Sequence, residues 1–340
     1  MSAQFTSLDS SATAWIALAS AQRVSPKLWL QALEQHQCSP IELLSQASSL
    51  GSAVTTLTEQ ITQKHIDTAL NWAKASENRH VITLDSPDYP PLLKQLDSPP
   101  LVLFATGSKA LLKQPQIAIV GSRRASIQGK RIATDFAMGL SNNGIAITSG
   151  LAMGIDSAAH VGAISGSIGT IAVMGTGPDK IYPAKNSKLY NEIHDSGGVS
   201  VTEFFPGQGP KPWHFPRRNR IIAALSLGTL VVEAKIKSGT LITANLAADM
   251  GRDVFAVPGS LFHAYSEGCH WLIQQGAKLV TNVNDILLEI GVQPQQMSFD
   301  VGEQNEKSAV NSLATDKLLA SVDYDITAID VIAQRNAISV

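Results

Sequence analysis

The sequence predicts an α/β protein built on a doubly wound, mostly parallel sheet. Short apolar runs rich in β-branched residues alternate with helical patterns from about residue 115 to residue 290. Most of these runs are continuously apolar rather than alternating, as in strands covered on both faces. Glycines and small polar residues follow them, where a strand must turn into a helix.

The series opens with Ile117 to Val120, a four-residue apolar run closed by Gly121. Ser122, Arg123 and Arg124 follow, then a helical pattern carrying Ile127, Ile132, Phe136 and Leu140. Further strands are expected at Ile145–Thr148, Thr170–Met174, Val199–Thr202, Thr229–Glu233, Val254–Val257 and Lys278–Val280. In such a sheet ligands bind beyond the carboxyl ends of the strands, so the residues after each run are the candidate site.

Ahead of the sheet, residues 1–75 read as a small all-α domain of four helices. Ser11 or Thr13 is expected to cap the first, and Ser25 with Pro26 opens the second. Pro40 opens the third, and the fourth carries Leu57, Ile61, Ile66, Leu70 and Trp72. From His80 to Gly107, two strands around Val81–Leu84 and Leu101–Phe104 read as an extension on the edge of the following sheet. The sheet domain is therefore placed at 76–290. Residues 291–312 are polar and Gln-rich and read as a linker. Helical patterning returns over 313–340.

The 340 residues suffice for about two or three domains, and 44% hydrophobic residues support a large core. The net charge of −2 gives no global basic field, so any nucleic-acid contact must be a local patch. Cys38 and Cys269 form no metal or redox pair, which fits a reducing compartment. Neither a signal peptide nor a bilayer-length apolar run is seen, and a cytoplasmic location is expected.

Five strand ends carry the chemistry. Gly121, Ser122 and Arg123 form a turn at a helix start, a place that attracts phosphate. The run is neither G-x-G-x-x-G nor a P-loop. Ser149 and Gly150 offer a hydroxyl and close backbone approach after the second strand. Lys180 and Lys185 flank Tyr182-Pro183 in a Gly-rich turn, with Tyr182 expected to pack on Pro183 and Asn186 to cap the next helix. After the fourth strand a loop is expected to run to Arg220. It places Lys211, Arg217, Arg218 and Arg220 among Trp213 and Phe215, before a helix from Ile221 to Leu225. Cations interleaved with aromatics suit a single strand, whose phosphates and bases need both. Lys235, Lys237 and the helix opening at Ser238-Gly239-Thr240 add another anion site. Glu233 stands at a strand end where a catalytic base would fit. His160, among alanines, reads as a buried hydrogen-bonded histidine. No nucleophile elbow or metal-ligand spacing occurs.

These motifs fall in an order that resembles the DNA-processing protein A family (DprA, also called Smf). The run comprises Val120-Gly121-Ser122-Arg123, Thr148 to Ala152 with Gly154-Ile155-Asp156 and Ala159-His160, and Tyr182-Pro183 with Asn186. It continues with Phe215-Pro216 and Arg218 to Ala223, Ser238-Gly239 with Thr243-Ala244, and Val257-Pro258-Gly259. The likeness covers about His80 to Ile290. It implies an extended Rossmann-like fold, no enzymatic activity, no cofactor, and binding of single-stranded DNA. It also implies a homodimer that helps load the RecA recombinase in natural transformation.

By motif the resemblance gives Arg123 and one lysine near Tyr182, Lys185 in preference to Lys180, as DNA contacts. Phe215, Arg217, Arg218, Asn219 and Arg220 would line the same pocket. The helical front resembles the family's sterile-alpha-motif-like or helix-hairpin-helix-like domain, and 313–340 the start of its winged helix. The region Gly251 to Val280 would supply the dimer face. Trp271, Leu272 and Ile273 are consecutive, so one helix cannot turn all three inward. With Met250 and Leu279 they are the expected interface. The competing reading is a nucleotide phosphoribohydrolase of similar fold. Against it, Lys237-Ser238-Gly239-Thr240 lacks that family's double glycine and later acid.

Overall fold

The computed structural model describes residues 10–292. The expected segment 313–340, and the linker before it from residue 293, lie outside the described residues.

Five helices come first: α1 (Ser10–Ser20), α2 (Pro26–His36), α3 (Pro40–Ser45), α4 (Ser52–Thr58) and α5 (Gln63–Lys74). Ser11 and Thr13 do not cap α1 but lie inside it; Ser11 donates to Asp85 Oδ2 at 3.1 Å and Thr13 is buried. Pro26 follows the N-cap Ser25 of α2, and Ser39 with Glu42 forms a capping box on α3. The expected fourth helix is two. Its break is held against the end of α1, where Gln22 N–H donates to the Gln60 carbonyl (3.0 Å) and Thr62 N–H to Ser20 Oγ (3.1 Å). Tertiary bonds there replace the continuation of the helix.

The sheet has nine strands in the order β1-β2-β6-β5-β4-β3-β7-β8-β9. β1 (Arg79–Thr83) and β2 (Val102–Gly107) are antiparallel, joined through the single-turn helix α6 (Pro91–Lys94), and β2 pairs antiparallel with β6 (Val199–Thr202). They are the expected edge extension. All other pairings are parallel. These strands are β3 (Gln116–Val120), β4 (Ala146–Ser149), β5 (Thr170–Val173), β7 (Gly228–Val231), β8 (Asp253–Ala256) and β9 (Lys278–Leu279).

The period-2 pleat sends alternate residues of each strand to opposite cores. Ile117 and Ile119 of β3 join the core under α7 (Ile127–Asn142), α8 (Ile155–Ile164) and α13 (Val283–Glu289). Ala118 and Val120 join the core under α10 (His214–Leu225), α11 (Gly239–Asp249) and α12 (Glu267–Gln274). Ala172 of β5 packs with Leu189 and Ile193 of α9 (Ser187–Asp195). Helices thus cover both faces, which explains the continuously apolar strands.

The five N-terminal helices share the second of these cores rather than closing one of their own. The link is aromatic. Trp72 of α5 meets Phe104 of β2 edge-on at 5.6 Å, Phe104 meets Phe205 at 5.1 Å, and His65 of α5 stacks on Phe205 at 5.2 Å.

In α12, Leu272 faces the core and is 4% exposed, so it is not available to a partner. Trp271, Ile273 and Met250 are half-buried against the same core. Leu279, on the edge strand β9, is 46% exposed. The three consecutive apolar residues of α12 are therefore accommodated mainly within the chain.

Phe104 is fully buried at the junction of helices and sheet. The Phe104→Ala variant is expected to lose about 3–5 kcal/mol of unfolding free energy. Urea denaturation followed by far-ultraviolet circular dichroism measures it. A loss below about 1 kcal/mol would mean that the aromatic chain does not join the two parts.

Candidate nucleic-acid interface

β3 is the first strand of the parallel series, and the chain lays β4 on one side of it and β7 on the other. A crevice opens at such a reversal, beyond the carboxyl ends of the strands. Here it is a cleft of about 770 Å³ running from Val120 and Gly121 across to Ala234. Besides the buried Arg218 of α10, its cationic lining comes from two turns: Arg123 and Arg124 after β3, Lys235 and Lys237 after β7. Among the described residues none of these four is in an ion pair. Asp156 is the acid among the cleft's described lining residues.

Part of the helix start after β3 is taken up by the chain itself. Glu233 occupies it, accepting from Ser126 N–H at 3.0 Å and from Ser126 Oγ at 2.5 Å. Ser126 Oγ in turn accepts from Gly129 N–H (2.9 Å). The chain's own carboxylate thus takes the place an external phosphate would take. Glu233 is a cap, with both oxygens engaged, and not a free base. Ser122 lines the cleft, but its N–H donates to the Glu233 carbonyl (2.8 Å) and its Oγ accepts from Arg124 N–H (3.1 Å). The side chains of Arg123 and Arg124 line the cleft after β3. The N-terminus of α11 carries no acidic residue in its first turn, and Ser238, Gly239 and Thr240 there line the cleft.

An aromatic series meets the cations. Arg123 lies over Phe215 with its guanidinium carbon 5.6 Å from the ring centre, and Tyr182 packs on the same ring at 5.5 Å. Tyr182 thus reaches across to α10, not only to Pro183. Asn186 stands at the N-cap position of α9 as expected, but its side chain makes no capping bond; its amide donates instead to the Leu151 carbonyl (2.8 Å) and to Ser157 Oγ (3.0 Å). Lys180 sits 3.6 Å from Asp179, and Lys185 is exposed on a short 3-10 helix. Neither lysine lines the cleft; Tyr182 connects their turn to it.

The segment expected as a loop to Arg220 is helical from His214, and this splits its residues. Phe215, Arg218 and Asn219 face the cleft. Arg217 instead forms a two-pronged pair with Glu203 (3.0 and 2.9 Å). Arg220 pairs with Glu203 (2.5 Å) and donates to the Ser98 carbonyl (2.8 Å). One turn of helix rotates successive side chains by about 100°, so the run cannot line a single pocket.

Arg218 lies under the cleft, 4% exposed. Its Nη1 donates to the Gly150 carbonyl and, at 2.6 Å, to the Val173 carbonyl, and its Nε to Asn219 Oδ1 at 3.2 Å. Burial brings its pKa down to about 10, with the charge of Asp156 opposing the drop, so it stays charged at neutral pH. Burial raises the Asp156 carboxyl, against Arg218 and the Gly150 N–H that donates to Oδ2 at 3.0 Å. A Cβ on Gly150 would fall 2.2 Å from Arg218 Nη1, so any other residue there would displace the guanidinium from its carbonyls. Ser149 is fully buried and its hydroxyl donates to the Ile119 carbonyl at 2.7 Å, away from any ligand. Ser149 and Gly150 therefore build the floor rather than offering donors.

His160 is fully buried. Its Nε2 accepts from Leu151 N–H (3.2 Å), which leaves the proton on Nδ1, facing Thr170 Oγ1 at 2.7 Å. Burial, reinforced by Arg218, lowers its pKa from 6.5 to about 3. The neutral imidazole is thus favoured in the fold, and its contribution to stability is complete above pH 6.5. It is lost as pH falls from 6.5 towards 3, at about 1.4 kcal/mol per pH unit. In urea titrations between pH 6 and pH 4, His160→Gln is expected to show a shallower fall in stability than wild type, by about 1 kcal/mol per pH unit. Equal slopes would mean that His160 is protonated in the fold.

The chain is similar to known proteins over the span that carries this cleft. The family model described as DNA recombination-mediator protein A matches residues 80–291. The chain is 41% identical over 280 residues to protein Smf of Escherichia coli K12, covering 80% of this chain and 73% of that one. It is 49% identical over 201 residues to DNA processing protein DprA of Streptococcus pneumoniae R6, covering 59% and 71%. The X-ray structure of DNA processing protein A from Streptococcus pneumoniae matches it with a TM-score of 0.70 and 38% identity, over 83% of this chain and 99% of that one. DNA processing protein A from Helicobacter pylori, whose structure addresses its single-stranded DNA binding mode, matches with a TM-score of 0.57 and 29% identity, over 62% and 95%. The matched span contains the whole parallel sheet and every residue of the cleft, and the chain belongs to the DNA recombination-mediator protein A family.

Proposed function

We propose that this protein binds single-stranded DNA in the cleft beyond β3 and β7, and acts there as a recombination mediator without catalysis. The observation that carries the reading is the set of four cations Arg123, Arg124, Lys235 and Lys237, which among the described residues are in no ion pair and which line one cleft together with the half-buried ring of Phe215. Phosphates meet the cations and a base meets the ring. Protecting incoming single strands and helping to load RecA in natural transformation is the wider role we assign, on the family resemblance. Nothing in the geometry favours the phosphoribohydrolase alternative: Glu233, the acid nearest to that role, caps α7.

Arg123→Ala is expected to weaken binding of all single-stranded sequences alike, since phosphate contacts carry no base information. Four neutralised phosphates give a slope of log affinity against log salt of about −3, at roughly −0.7 each, and Arg123→Ala should make it shallower by about 0.7. Fluorescence anisotropy on mixed-sequence oligonucleotides at several salt concentrations provides both numbers. Wild-type affinity in the folded variant would overturn the site.

We also propose a homodimer, with the exposed edge around β9 in its interface. Of the expected interface residues Leu279 is the one to probe, because it is exposed whereas an arginine at Leu272 would enter the core. Leu279→Arg is expected to convert dimer to monomer in light scattering at micromolar concentration while leaving the thermal unfolding of the fold intact. A wild-type monomer, or a variant that stays dimeric, would remove β9 from the interface.

A further inference from the structure

Across the first turn of α10 from the DNA cleft lies a second, larger cleft of about 1020 Å³. One wall is the turn between α1 and α2 with His65 of α5; the other is the segment after β6 with the start of α10. Glu203 is the acid among its described lining residues. Its side chain is 3% exposed and is shared between Arg217 and Arg220, so two cations answer one carboxylate. Arg23 and Lys211 also line the cleft, and among the described residues neither is in an ion pair. The cleft is therefore basic.

It also presents a large ring. Trp213 is 64% exposed, with Lys211 Nζ 5.5 Å from its ring centre. The floor beneath is fixed: His214 stacks on Phe204 at 3.9 Å and 19°, and Arg217 lies over the same ring at 5.7 Å. An exposed indole beside unpaired cations over a rigid floor is the chemistry that takes a base and its phosphate. The two clefts share a wall. Pro212, Phe215 and Asn219 line the first, while Lys211, Trp213 and Arg217 line the second.

We infer that the second cleft holds a further stretch of the same single strand, with a base on Trp213 and phosphate on Lys211 and Arg23. The N-terminal helices thereby become part of the DNA site. This inference rests on the reading of the first cleft. Occupying both clefts with one strand makes the second contact intramolecular, so length is the variable that exposes it.

The test compares labelled oligothymidylates of about six and about twenty nucleotides, within and beyond the reach of one single-strand site. Trp213→Ala is expected to leave the short oligomer unaffected and to weaken the long one about fivefold or more, with Trp213→Phe restoring most of the loss. The double variant Arg23→Ala/Lys211→Ala should flatten the salt slope of the long oligomer alone, by about 1.4. These side chains are exposed, and circular dichroism checks that each variant folds. Unchanged affinity for the long oligomer in Trp213→Ala, or equal weakening of both lengths, overturns the second site. Arg123→Ala without effect on either length overturns the first site instead. Displacement of the long oligomer from Arg123→Ala but not from Trp213→Ala by an acidic phosphopeptide would reassign the second cleft to a protein partner.

Discussion

The site depends on one buried cation. Arg218 reaches from α10 to the carbonyls of Gly150 and Val173, which end β4 and β5, while Asp156 holds the Gly150 N–H from the other side. A guanidinium has five donors and no acceptor, so it can tie several strand-end carbonyls that would otherwise lack partners. Removing it would leave those carbonyls and Asp156 buried and uncompensated, a loss of about 3–5 kcal/mol. The other cations of the cleft stand around this fixed point. The fold therefore uses Arg218 for architecture beneath the cleft, while Arg123, Arg124, Lys235 and Lys237 in the turns after β3 and β7 line it.

Helix geometry makes that division. Between Lys211 and Arg220, side chains leave α10 and its approach in three directions: into the first cleft, into the second, and down onto Glu203. Glu203 and Glu233 play matching parts. Each is a nearly buried carboxylate just after a strand, and each fixes a neighbouring element, Glu203 through two arginines and Glu233 through the cap of α7. Neither is left free to repel a phosphate chain.

Much of this was legible in the sequence. The nine strands, the edge extension and the strand-end location of the cleft follow from apolar runs and the glycines that close them. Arg123, Phe215 and Lys237, singled out as cations and an aromatic following strands, do line the cleft. Side-chain direction was not legible. Ser149, Gly150 and Arg218 read as donors to a ligand but face inward, because the hydrogen bonds that turn them come from elements up to 68 positions away. The helical start of α10 was hidden by Pro212 and Pro216, which look like loop residues yet are compatible with a helix's first turn. Arg124 and Lys235 were seen as charge but not as cleft lining, since only the fold brings the turns after β3 and β7 together.

The edge extension has a consequence for the chain as it is being made. β2 meets β1 within about 25 residues, but its other edge waits for β6, where Phe104 pairs with Thr202. At about 5–20 residues per second, the ribosome supplies β6 roughly 5–20 seconds later. Through that interval β2 carries a run of apolar residues with one row of backbone groups open. Trp72 and Phe104 are both made before β6, so the contact that covers one face of the hairpin needs no later segment. The N-terminal helices thus bring to β2 a cover that does not depend on the strand that later closes its edge.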